Sequence, residues 1–170
     1  MSNGLQPHVE LVSPVQAVAA RGLVLTSAQA RDAGNIALHV DNAMDAPDSD
    51  AMVVMLGRTV IGFSRLDSPT VTPTRTTVDP GTVTLRAFAL DRAWQGRGLG
   101  APTLHACFAD LAPRRPDRRL LVLSVHIANG VAARLYRRTG FIDSGACLPC
   151  GPAGRQRLLL RALGVGECAP

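Results

Sequence analysis

Lysine is absent: all 18 basic side chains of this 170-residue chain are arginines, a bias that a GC-rich bacterial genome produces. The absence excludes the P-loop nucleotide hydrolases, whose motif requires a lysine beside its last glycine to reach the β and γ phosphates. Aromatic side chains are nearly as scarce, with one tryptophan, one tyrosine and four phenylalanines. They offer no row of stacking surfaces to single-stranded nucleic acid, so no nucleic-acid partner is expected in spite of a pI near 9.8. No apolar run approaches the roughly 18 residues of a membrane span, and MSNGLQPHVE lacks the basic, apolar, small-residue order of a signal peptide. A cytoplasmic protein without a membrane partner is the expectation. Its four cysteines are then thiols. Cys147 and Cys150 form a C-x-x-C, but no second such pair or nearby histidine pair completes a zinc site, so they read as structural and no metal is expected.

What is present is enough for one core. With 46% hydrophobic residues, the chain reads as a single domain over 1–170. Charge is unevenly placed: residues 1–85 carry 5 arginines against 8 acids, and residues 86–170 carry 13 against 5. The second half is therefore built to meet an anion.

Along the chain, VELV at 9–12 reads as a strand, VQAVAARGL as a short helix, and TSAQARDAGNIALHV as a helix capped by Thr26. DNAMDAPDSD, with four aspartates, reads as a solvated loop, and 51–57 with 59–66 as a hairpin turning at Gly57 and Arg58. SPTVTPTRTTVDPG is a Thr/Pro loop. TVTLRAFAL at 82–90 is a strand whose alternation puts Val83, Leu85, Ala87 and Ala89 on one face. Leu104, Cys107, Phe108 and Leu111 then make a helical stripe that Pro113 stops, with Pro102 in the first turn. LLVLSV at 120–125 is a buried strand, Asn129 caps a helix that ends at Gly140, and FIDSGACL with QRLLLRAL form a last strand pair.

Between the strand at 82–90 and the striped helix lies WQGRGLGAP, where alternating glycines make both helix and strand poor and leave backbone amides bare. A dinucleotide fingerprint is formally present at Gly96, Gly98 and Ala101. However, five residues separate the strand from the first glycine, no acidic ribose ligand follows the next strand, and about 70 residues cannot complete such a domain. The better reading is a loop entering a helix N-terminus, with amides and dipole converging on a pyrophosphate. Strand, then Q-x-x-G-x-G at Gln95, Gly98 and Gly100, helix, strand, then N-x-x-A-x-x-L-Y-x-x-x-G-F at Asn129, Ala132, Leu135, Tyr136, Gly140 and Phe141 resembles the GNAT superfamily of acetyl-CoA-dependent N-acetyltransferases. The resemblance is strong over about 82–142 and plausible for the hairpin and the closing strands.

The resemblance implies an α/β fold: one GNAT-like domain with a mixed, mostly antiparallel sheet splayed at the cofactor site and helices on both faces. The acceptor side would lie in about 1–80 and the acetyl-CoA core in about 82–142. It implies acetyl transfer from acetyl-CoA to a primary amine of a small molecule or peptide, by direct attack in a ternary complex. A non-catalytic acyl-CoA binder or sensor of the same fold is the alternative, and a homodimer is left open. Expected cofactor contacts are the backbone of Phe88, Ala89 and Leu90, the loop Gln95, Gly96, Arg97, Gly98, Leu99, Gly100 and Ala101, and Asn129. Arg114, Arg115, Arg118 and Arg119 read as a solvated turn, and Asp41, Asp45, Asp48 and Asp50 as an acidic border that draws a cationic amine.

Tyr136 lies at the edge of the apolar arc of its helix and is the expected proton donor to the departing thiolate. Relatives often place a glutamate base near Thr84, but this chain has only Glu10 and Glu167, so the base is left open: His126, just past the second strand, is the catalytic candidate, with a surface or packing histidine as the alternative. His8, His39 and His105 have no constellation around them in sequence.

Overall fold

The computed structural model describes residues 5–68, 79–151 and 154–164. Most of the Thr/Pro loop, the turn at 152–153, Glu167 and Cys168 lie outside the described residues. The strands are β1 (His8–Leu11), β2 (Ser49–Leu56), β3 (Thr59–Asp67), β4 (Thr82–Leu90), β5 (Leu120–His126), β6 (Ile142–Gly151) and β7 (Gly154–Ala162). The helices are α1 (Pro14–Arg21), α2 (Ser27–Ala33), α3 (Ile36–Asp45), α4 (Gly100–Arg114) and α5 (Gly130–Arg138). One seven-stranded sheet runs in the order β1-β2-β3-β4-β5-β7-β6. Only β4 and β5 pair in parallel; the other neighbours are antiparallel.

Alternation along β2 divides the core. Ala51, Val53 and Met55 point to one face, where Ala17 and Ala20 of α1 and Ile36, Val40 and Ala43 of α3 cover them. Met52 points to the other, with Leu104, Phe108 and Leu111 of α4 and, at its margin, Ala132 and Leu135 of α5. Period 2 in the strands and period 3.6 in the helices thus put one apolar stripe per helix against one sheet face.

Local signals set the element ends. Ser13 and Gln16 form a reciprocal capping box at α1, with Pro14 in its first turn. Thr26 caps α2 as expected, but Gly34 at φ 78° and the new cap Asn35 break the expected single helix into α2 and α3. The aspartate-rich stretch is not a loop throughout: Asp41 and Asp45 belong to the end of α3 and Asp50 to β2.

The expected alternation of β4 fails at its centre. Phe63 pairs with Ala89 and Arg65 with Arg86, so Ala87 and Phe88 together oppose Ser64, and Ala87 has φ 51°. This β-bulge shifts the pleat by one residue. Val83, Leu85 and then Phe88 pack with α4 and α5, whereas Ala87 and Ala89 pack on the α1/α3 side.

Candidate functional site

Beyond the bulge, β4 and β5 part. They pair at Thr82↔Leu120, Val83↔Leu121 and Thr84↔Val122 and no further. β4 stays hydrogen-bonded to β3 as far as Leu90↔Gly62, and β5 to β7 as far as His126↔Gln156. Each strand is thus held on its outer edge, and the inner edges open into a cleft of about 630 Å³. Asp91 N donates to Ile61 O at 2.8 Å, so by alternation the N–H and C=O of Leu90 face the cleft.

Across the mouth of the cleft lies the glycine loop. Asp91 starts a 3-10 turn by accepting from Ala93 N at 2.9 Å, and its other oxygen accepts from Val24 N at 2.8 Å, tying the loop to the segment before α2. Gln95 Nε2 donates to Leu90 O at 2.8 Å, and the amide of Gln29 on α2 meets the Gln95 side chain. Gln95 therefore clamps the loop to the end of β4. Gly96 and Gly98 have φ of 71° and 73°, and a Cβ at either would meet nothing within 4 Å, so the loop is an open cradle in a backbone conformation that suits glycine. Gly100 is glycine for another reason: its Cβ would lie 3.0 Å from Leu135 Cδ2, where α4 meets α5.

α4 begins without a side-chain cap at Leu99. Thr103 N donates to Leu99 O at 3.0 Å and Pro102 has no N–H, so the amides of Gly100 and Ala101 are the free donors of the first turn. Arg97 stacks over Trp94, 4.9 Å from the ring centroid, at the exposed rim.

Of the expected site residues, Phe88, Leu90, Gln95, Gly96, Gly98, Leu99 and Gly100 line the cleft, as do His126, Asn129 and Tyr136 from the opposite wall. Ala89, Arg97 and Ala101 do not. Ala89 is fully buried and its backbone faces β3, so it offers the cleft nothing. Asn129 caps α5 by accepting from Ala132 N at 3.0 Å, and its Nδ2 donates to Asp32 at 2.6 Å, joining α5 to α2.

Tyr136 is half-buried between Phe88 and Phe141, with ring centroids 6.3 and 5.6 Å away. Burial first, then the nearby Asp32 and Cys107, pushes its phenol well above the usual range, so it holds its proton at neutral pH. His126 closes β5 on the wall of the cleft, close to where the sequence suggests. Its Nδ1 accepts from Ala128 N at 3.1 Å, which puts the ring proton on Nε2, and Nε2 lies 2.7 Å from where a Cβ on Gly154 would stand.

Sequence reasoning passed over five polar residues that line the cleft from the N-terminal half and β4: Gln29, Arg31 and Asp32 on α2, His39 on α3 and Arg86 on β4. The glycine after α2 was their one local sign. Gly34 makes room for His39, whose Nε2 would lie 3.2 Å from a Cβ there. Burial, and then the charges of Arg65 and Arg86, hold His39 below the ordinary imidazole range; Asp67 and the Ala33 carbonyl oppose them. Its Nδ1 is buried without a hydrogen-bond partner among the described residues.

The expected acidic border is absent from the cleft lining. Asp41 pairs with Arg21 at 2.6 Å, and Asp50 with Arg114 at 2.8 Å and Arg115 at 3.2 Å. Arg114 is likewise engaged rather than solvated, since it also pairs with Asp110 at 2.7 Å, whereas Arg119, 3.4 Å from Asp79, is exposed as expected. Cys107 is buried and its thiol is pushed up to about 12 by burial. No group of three metal-binding side chains occurs among the described residues.

A mixed sheet parted between two parallel strands, with a glycine cradle at an uncapped helix start, defines an α/β protein with a cleft between β4 and β5. The class has a family. Residues 25–141 match the model of the acetyltransferase (GNAT) family, and the chain belongs to that family. Solved structures agree in fold. The aminoglycoside acetyltransferase AAC(6')-Ib in complex with coenzyme A superimposes with a TM-score of 0.73 at 16% identity, covering 92% of this chain and 94% of that one. A spermidine N-acetyltransferase from Vibrio cholerae in complex with CoA and spermine gives 0.69 at 13%, covering 93% and 96%. RimL, a ribosomal L7/L12 alpha-N-protein acetyltransferase, gives 0.68 at 16%, covering 92% and 90%.

Proposed function

We propose that this protein moves an acetyl group from acetyl-CoA to a primary amine of a small molecule or peptide, by direct attack with both substrates bound. One observation carries the reading: the uncapped start of α4 and the left-handed, unobstructed Gly96 and Gly98 stand at the mouth of a cleft opened between β4 and β5. Bare amides at a positive helix end suit a pyrophosphate, and a parted strand edge suits an arm that carries amides of its own. Acetyl-CoA has both parts and supplies an activated acyl group.

In this reading the amides of the 96–101 loop hold the pyrophosphate and the cleft-facing edge of Phe88 and Leu90 pairs with the pantetheine arm. Gln95 acts one step back, by fixing that edge to the loop. The amine nitrogen bonds to the carbonyl carbon, the carbon–sulfur bond breaks, and Tyr136 gives its proton to the sulfur. The amine sheds a proton in the same process, and Asp32, His39 and His126 are the cleft side chains that can relay it to solvent. His39 is suited to neutral pH, because its surroundings keep it unprotonated.

Thermal melts and an amine panel test the reading. Acetyl-CoA should raise Tm while NAD and ATP do not, and free thiol should appear with at least one amine. Equal stabilisation by NAD would remove acetyl-CoA from the cleft.

A further inference from the structure

The charges lining the amine side of the cleft do not suit a polycation. The guanidiniums there are Arg31 and Arg86, and the carboxylate is Asp32, which is already hydrogen-bonded by Asn129. Arg86 comes from a cluster with surplus positive charge. Its Nε lies 2.9 Å from one oxygen of Asp67, and Arg65 Nε lies 2.6 Å from the other. Ser49 Oγ also donates to Asp67, at 2.5 Å. One carboxylate thus faces two guanidiniums. Arg65 and Asp67 are largely covered, with side chains 17% and 19% exposed, while Arg86 is 49% exposed and lies on the cleft wall. The excess charge of the cluster is therefore presented to the cleft. His39 registers the same field, since Arg65 and Arg86 both disfavour its protonation. Arg31, exposed at the end of α2, has no ion-pair partner among the described residues.

Asp32 lines the same cleft, close enough to Tyr136 for its charge to disfavour the phenolate. A carboxylate near the proposed proton donor and a half-exposed guanidinium lining the same cleft match a substrate that carries both an ammonium and an oxyanion. We propose that the acceptor is a small amine that also carries an oxyanion, a carboxylate or a phosphate, with Arg86 binding the oxyanion while the amino group lies at Asp32. The inference rests on the reading of the cleft as an acetyl-transfer site. It separates this chain from an enzyme for polyamines or aminoglycosides, which carry several positive charges and no negative one.

The test is a set of matched acceptors with acetyl-CoA, scored by thiol release: glycylglycine against its C-terminal amide, phosphoethanolamine against ethanolamine, and spermidine with one aminoglycoside as polycations. At least one oxyanion-bearing member should have a KM about tenfold or more below that of its neutral partner, and the two pairs distinguish carboxylate from phosphate. Arg86→Gln should shrink that ratio below about threefold with the KM for acetyl-CoA unchanged, Arg86→Lys should restore part of it, and Arg58→Gln at the exposed hairpin tip should leave it intact. Neutral partners or polycations used as well or better, or a ratio that survives Arg86→Gln, overturn the proposal. A second measurement does not depend on turnover: the proton NMR titration of His39, recorded with each compound. An oxyanion beside Arg86 should raise the His39 midpoint, and its neutral partner should not; equal midpoints overturn the proposal. Loss of stabilisation by acetyl-CoA would instead strike the acetyl-transfer reading itself, and the His39 titration would still decide the matter of charge.

Discussion

Replacing Tyr136 by phenylalanine separates chemistry from packing, because the ring packs in the structure and the hydroxyl carries only the proposed proton transfer. The ring fills the space between Phe88 and Phe141, and phenylalanine keeps it. Among the described residues no hydrogen bond to the hydroxyl oxygen is present, so its removal at neutral pH should change stability by less than about 1 kcal/mol. A positioned proton donor is worth roughly 10² to 10⁴ in rate. Tyr136→Phe should therefore lower kcat by at least about a hundredfold while the KM for acetyl-CoA stays within about threefold. The raised pKa of the phenol adds a signature in stability. The native phenol stays protonated above about pH 10, where the unfolded one ionises, so the native state loses stability as pH rises, by about 1.4 kcal/mol per pH unit. Tyr136→Phe removes this loss. Denaturant melts of both proteins from pH 8 to 11 should coincide below pH 9 and then separate, with the variant the more stable. A kcat within threefold of wild type, with a lower Tm, would make Tyr136 a packing residue, and parallel alkaline curves would mean that its phenol is not shielded.

His39→Asn should remove an acid limb of kcat/KM whose midpoint lies below the ordinary imidazole value of about 6.5, measured on the best amine. Because the native pKa is lowered, His39 also contributes stability that is present above about pH 6.5 and lost as pH falls; melts at pH 5 and 7.5 should show a smaller difference in the variant. Gly100→Val should destabilise by about 1–3 kcal/mol through its contact with Leu135, whereas Gly98→Ala should raise the KM for acetyl-CoA with a stability loss of about 1–2 kcal/mol from its left-handed backbone. Chemical denaturation and saturation kinetics check both. Arg114→Ala breaks the link from α4 to Asp50 on β2 and should lower stability by about 1–3 kcal/mol in urea melts, with both KM values unchanged because the link lies away from the cleft.

The half of the site that lies within one stretch of chain was legible. The β4–loop–α4 unit and the Asn129 cap depend on glycine, proline and capping residues acting within a few positions, and these appear in the structure at the expected places. The bulge was not legible, because Ala87 adopts φ 51° under the constraint of strand pairing and nothing in TVTLRAFAL marks it. The wall of the cleft contributed by α2 and α3 was missed for a different reason. Asp32, His39 and Arg86 come from α2, α3 and β4, and their meeting is a property of sheet order, which local pattern does not encode. Four aspartates in ten residues looked like a binding surface until long-range pairing with Arg21, Arg114 and Arg115 accounted for Asp41 and Asp50.

The position of β7 governs how the chain can be assembled. β6 comes first in sequence but its one partner strand is β7, and β7 is the strand that meets β5, in register from Leu120↔Ala162 to His126↔Gln156. During synthesis the edge of β5 next to β7 stays open until residues 154–162 have left the ribosome. Until then the wall of the cleft that bears Asn129 and Tyr136 rests on a strand with one neighbour, joined at three residue pairs. An unpaired apolar edge recruits whatever strand is nearest. The interval between the emergence of LLVLSV and that of RLLLRA is therefore when this protein is most exposed to mispairing with another nascent copy, and slowing translation between them should lower its soluble yield.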